Sequence, residues 1–184
     1  MFRTPPGTPL PHFPTAAEQI ARFGRPIAML PEPPSGWKLL FGTQGEGTHT
    51  YRLDITYAAD RTHHLQVSSV RPQPRILTRF GSLLENFVVN AEHRPRETDH
   101  RAWHDSWRFI RDLEPTETSL LVDGVELLAR RISFEGYFGL KVMLDGLQVF
   151  VCGRSAAEPL GTALVTGTEP RGHVFRPRVL GGTD

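Results

Sequence analysis

The stretch Ser119–Gly153, SLLVDGVELLARRISFEGYFGLKVMLDGLQVFVCG, constrains the fold more than any other part of this 184-residue chain. It holds two Asp-Gly pairs, Asp123-Gly124 and Asp145-Gly146, each flanked by alternating apolar residues. Asp-Gly suits a two-residue type I′ turn, because both central positions need positive φ. Around the second pair, Leu144 then faces Leu147, Val142 faces Val149 and Leu140 faces Val151, all on one side of a ribbon. Met143/Gln148, Lys141/Phe150 and Gly139/Cys152 fall on the other side. The pattern predicts an antiparallel meander with one dry face and one mixed face.

The first hairpin changes phase. Val125, Leu127 and Ala129 follow one face, whereas Ile132 and Phe134 have the opposite parity. Either both faces are covered, or a β-bulge near Arg130-Arg131 resets the alternation. The bulge is the expectation, since an unbroken register points Arg131 inward.

Residues Arg75–Asn90 read as an amphipathic helix able to shield the ribbon's leucines and valines. Ile76, Leu77, Phe80, Leu83, Leu84, Phe87 and Val88 share one face, with Thr78, Ser82 and Glu85 opposite. Gly81 is the weak point, costing ~1 kcal/mol against Ala. A second helix is expected from about Thr98 to Leu113, burying Trp103, Trp107 and Ile110 and exposing Arg101, Arg108 and Asp112.

Upstream, Thr15 and Glu18 form a capping box for a short helix, Ala16–Phe23, stopped by Gly24. The prolines of Pro26–Gly36 predict a loop. Strands follow at Trp37–Phe41, Thr50–Tyr57 and His63–Val70. In the middle one Tyr51, Leu53, Ile55 and Tyr57 alternate with polar residues. A last strand is expected at Thr162–Thr166. This order predicts an α+β fold: a mostly antiparallel sheet of about six to eight strands, with two or three helices packed on one face. Residues 15–168 form one domain on this reading. A disordered, Pro-rich arm (1–14) precedes it and a loosely ordered tail (169–184) follows.

Formal net charge is +1, with 21 basic residues offset by 20 acidic ones, so no bulk field argues for nucleic acid or an anionic membrane. The lone Cys152 excludes an intramolecular disulfide. No run approaches the ~20 apolar residues of a membrane helix. A soluble cytoplasmic protein is the expectation.

The chain carries no G-x-S-x-G, P-loop or Cys-x-x-Cys motif. His100 and His104, four apart, can present two imidazoles to one metal, but no third ligand is implied nearby. His63-His64 lie in a strand and point to opposite faces. The glycines Gly42-x-x-Gly45-x-Gly47 lie between strands, with no helix N-terminus to hold an anion, and read as a flexible hairpin loop. Cys152 has no partner base. No catalytic residue, metal ligand or cofactor is therefore assigned.

Two functional readings follow. The first is a non-catalytic protein-binding module, acting on a protein partner or as a homo-oligomer. Its surface is the mixed face of the meander with the adjoining FEGYF turn: Arg130, Arg131, Tyr137, Lys141, Met143 and Phe150. The second is a small-ligand binder or enzyme with a pocket between the sheet and the central helices. Tyr51, Tyr57, His63, His100, Trp103, His104 and Trp107 would line it. The first requires an exposed apolar patch, the second a concavity with converging titratable groups.

Overall fold

A computed structural model describes residues 15–46, 49–60, 63–72, 80–92 and 104–169. The N-terminal arm, the tail beyond Glu169, the first residues of the expected helix at 75–90, His100 and Trp103 lie outside the described residues. Helix α1 (Ala16–Phe23) has the expected ends. Thr15 and Glu18 make the reciprocal capping box, and Gly24 closes the helix at φ 68°. The strands are β1 (Ile27–Met29), β2 (Lys38–Glu46), β3 (His49–Ala58), β4 (His64–Val70), β5 (Thr116–Val122), β6 (Val125–Phe134), β7 (Tyr137–Leu144), β8 (Leu147–Arg154) and β9 (Ala163–Gly167). Helix α2 (Phe80–Glu92) and a 3-10 turn (Arg108–Asp112) lie between β4 and β5. Among the described residues, no helix is long and apolar enough to cross a membrane.

The nine strands form one curled, half-barrel sheet in the order β1-β9-β5-β6-β7-β8-β4-β3-β2. All pairings are antiparallel except β5 with β9. The count exceeds the expected six to eight because β1 is a strand rather than loop. Pro26 and Pro31 bracket Ile27–Met29 without interrupting it, and a proline just outside a strand removes no ladder bond. Both Asp-Gly pairs adopt left-handed φ at both positions, as does Glu135-Gly136. Three tight turns thus connect β5 to β8. The pairings Leu144↔Leu147, Val142↔Val149 and Leu140↔Val151 are those the sequence implies.

Each face of the sheet is covered by a different helix. Side chains alternate along a strand, so Leu140, Val142, Val149 and Val151 share the inner, concave side. There they pack with Leu53, Ile55, Tyr57, Leu65, Val67 and with Ile20 and Phe23 of α1. Tyr137, Cys152 and Ile132 point outward and meet Leu84, Phe87 and Val88 of α2. Helix α2 therefore covers part of the mixed face. The ribbon's leucines and valines are shielded instead by the sheet curling over them and by α1. Curling lets a long sheet bury its concave side against itself, which frees α2 for the convex side.

The phase change in β6 has the same cause. Its pairing with β5 and β7 runs without a register shift, so the bulge expected at Arg130-Arg131 is absent. Both faces of the hairpin bury side chains: Ala129 joins the inner core and Ile132 the outer cluster. Arg131 keeps inner parity and pairs with Glu158 at the sheet's end, half-buried. A register shift occurs elsewhere, between Gln44 and Gly45 of β2. Glycine suits that position, and Gly42 and Gly45 belong to a strand rather than a loop.

The half-barrel is closed by hydroxyl groups. Among the described residues, strand β1 pairs with β9 on one side only. Its Ala28 N–H donates to Ser69 Oγ at 3.0 Å and its Leu30 N–H to the Tyr57 hydroxyl at 3.0 Å, both buried. Ser69 and Tyr57 project from the inner faces of β4 and β3. These side chains replace the neighbouring strand that β1 lacks and satisfy donors that no water reaches.

Candidate functional site

Helix α2 leaves part of the outer face open. The covered part is aromatic. Phe80 packs on Phe150 at 5.9 Å between ring centroids, His64 stacks on Phe87 at 4.6 Å, and Phe134 stacks on Tyr137 at 5.5 Å. Tyr137 donates to the Glu92 carboxylate, which also accepts from Arg154, while the Arg154 guanidinium lies 4.1 Å from the Tyr137 ring centroid. Burial first, and the bond to Glu92 second, hold the Tyr137 hydroxyl well above its ordinary pKa. Glu85, expected on the wet side of α2, is fully buried. The segment after α2 folds back over it, where Arg111 Nε donates to one oxygen and His104 Nδ1 lies 3.3 Å from the other.

The open part lies on β5, β6 and β7. Leu128 is 73% exposed, Met143 53% and Leu121 45%, although all three sit in regular paired strands. The registers place Ser119 opposite Leu128, Leu121 opposite Glu126, and Glu117 and Lys141 on either side of Arg130. Around Leu128, Met143, Arg130, Lys141 and Glu117 the surface forms a shallow depression of about 280 Å³. Lys141 extends toward the aromatic part, its ammonium 5.5 Å from the Phe150 ring centroid. Its pKa is lowered, mainly by burial and secondly by Arg130. The surface thus combines three apolar side chains with two adjacent cations, and with Glu117 opposite Arg130 and Glu126 opposite Leu121.

Among the residues named as an interface, Arg130, Lys141 and Met143 come together here. Tyr137 and Phe150 are on the same side of the sheet but lie buried beneath α2. Arg131 points to the other face. Leu128 and Leu121 were not among them. The alternation of Val125, Leu127 and Ala129 already sets Leu128 on the opposite face; that this face is open at Leu128 is what the structure adds.

The residues named for a pocket are dispersed. Tyr57 is in the inner core and Tyr51, of the same parity, is partly buried on that side. Trp107 belongs to the outer cluster and His104 to the Glu85 network. His63 is exposed and contacts Asp60, 3.0 Å away. The sheet separates the tyrosines from Trp107 and His104. Among the described residues, no three His, Cys, Asp or Glu side chains are grouped to hold a metal ion. Cys152 is buried beneath α2, and burial pushes its thiol up to about 12. No family model, curated protein or solved structure matches this chain, so its functional reading rests on its own geometry.

Proposed function

We propose that this chain is a non-catalytic protein-binding module whose contact surface is the open outer face of β5–β6–β7. The observation that carries this reading is the exposure of Leu128 and Met143 side by side on rigid strands. Apolar side chains on a sheet face are ordinarily covered, and α2 stops short of these. The charges specify the partner. Arg130 has Glu117 opposite it on β5 but faces Lys141 on β7, a like-charged cross-strand pair that a further carboxylate over the two would relieve. The matching partner is a protein segment presenting apolar side chains with Asp or Glu beside them. Met143 supplies a deformable contact, and Lys141 is already oriented over Phe150.

The test compares co-purifying proteins captured by the wild type, Leu128→Ser, Lys141→Gln and the control Leu40→Ser, which alters an exposed leucine on β2. A specific partner lost with Leu128→Ser and Lys141→Gln, retained by Leu40→Ser, and dependent on its own acidic residues supports the reading. Capture unaffected by Leu128→Ser and Lys141→Gln overturns it. Self-association abolished by those two changes replaces the external partner with a second copy.

A further inference from the structure

A second surface feature lies at the C-terminal end of α1. Gly24, Arg25, Arg71, Pro72 and Gly146 line an open cavity of about 440 Å³. Arg71 is fixed there. Its backbone N–H donates to Tyr51 O at 2.8 Å, its Nη2 donates to Phe23 O, and its guanidinium lies 5.0 Å from the Phe23 ring centroid. Its Nε is buried and has no hydrogen-bond partner among the described residues. Arg25 is exposed and makes no ion pair among the described residues. Neither guanidinium is therefore neutralised by a carboxylate of the described chain. Both glycines have left-handed φ, as the end of α1 and the β7–β8 turn require, and Gly24 brings backbone close to Arg71, where a Cβ would come within 3.3 Å of Nη2.

Arg25 and Gly24 also border a neighbouring hollow of about 350 Å³ whose other walls include Ala17, Ile20, Ala21 and Pro26. A cationic cavity and an apolar one thus share an edge. We infer that this edge is a binding site for a phosphate monoester, its phosphoryl group between Arg25 and Arg71 and its apolar group in the hollow beside α1. Two guanidinium groups match a dianion better than a single carboxylate: exposed Arg25 offers its planar fork to phosphate oxygens, and Arg71, with Nη2 held by Phe23 O, supplies a fixed positive charge beside it. The fixed orientation of Arg71 reduces the ordering needed on binding.

The experiment titrates the full chain with phenyl phosphate, inorganic phosphate and benzoate at constant ionic strength. Calorimetry and thermal unfolding are the readouts, with wild type, Arg25→Gln and Lys38→Gln compared. Arg71 is left intact because it holds the end of α1, whereas Arg25 is exposed and makes no ion pair among the described residues. Phenyl phosphate is expected to stabilise the wild type saturably and to bind more tightly than either other anion. Arg25→Gln should weaken it about tenfold, with Lys38→Gln unchanged. A shift no larger than sodium chloride gives, or equal binding by wild type and Arg25→Gln, overturns the site. Equal affinity for phenyl and inorganic phosphate overturns the apolar half of the assignment.

Discussion

Arg130 and Lys141 stand directly opposite one another across β6 and β7, two cations in one cross-strand pair on the outer face. Like charges so placed cost roughly 0.2–1 kcal/mol. Lys141 recovers a comparable amount, about 0.5–1 kcal/mol, from the Phe150 ring. Lys141→Gln removes both effects. Its unfolding free energy should match wild type to within about 0.5 kcal/mol, measured by urea denaturation at low salt. A larger loss would mean that Lys141 is held for stability and is no clean probe of binding.

Closure of the half-barrel depends on hydroxyl acceptors. Tyr57→Phe keeps the ring and volume but strands the buried Leu30 N–H, so it should destabilise by about 1–3 kcal/mol. Ser69→Ala should do the same to Ala28 N–H. The check is the urea midpoint with an unchanged slope. A Tyr57→Phe variant as stable as wild type would remove the hydroxyl from the closure.

Tyr57 and Cys152, alongside Tyr137, set the alkaline limit of stability, and the first two titrate within a measurable range. Burial pushes the Tyr57 hydroxyl up from 10.0 to about 12, against a smaller lowering by the Leu30 hydrogen bond. Cys152 is likewise pushed up, from 9.0 to about 12. Both folded values are raised, so the native state holds protons that the unfolded chain releases first. Their contribution is complete below about pH 9 and is lost between pH 9 and about 12. Urea midpoints measured across that range should fall steadily, and the fall should be shallower in Cys152→Ala. In the native protein the thiol should resist alkylation at pH 8, reacting only as the chain opens.

Gly81 behaves opposite to its helix propensity. Alanine gains ~1 kcal/mol within a helix. A Cβ at Gly81, however, would come 2.7 Å from both Arg111 Cα and Arg111 O and 2.8 Å from Ile110 O. Backbone atoms cannot swing aside as a side-chain end can. Gly81→Ala should therefore destabilise by about 1–3 kcal/mol, read as a lower thermal midpoint. Any rise in the midpoint would show that α2 and the 3-10 turn are not held in that contact.

Local chemistry was legible in the sequence wherever neighbours in the chain sufficed. The capping box at Thr15 and Glu18, the Asp-Gly turns and the register of β7 with β8 all belong to this class. So does the apolar face of α2 that includes Leu83, Leu84, Phe87 and Val88. Part of the open surface was legible too, as Arg130, Lys141 and Met143. Gly81, which read as a flaw, is instead the contact point of two segments.

What only the tertiary structure decided is which surface each pattern meets. Alternation assigns Leu140 and Lys141 to opposite faces but cannot say which face a helix will cover. That choice follows from the curl of nine strands, set by contacts between residues far apart in the chain. Glu85 is buried because Arg111 and His104 reach it from a later segment, and β1 forms because β9 pairs with it while Ser69 and Tyr57 accept the donors on its other side. Periodicity follows from backbone geometry within one element, whereas burial depends on what the rest of the chain places above it.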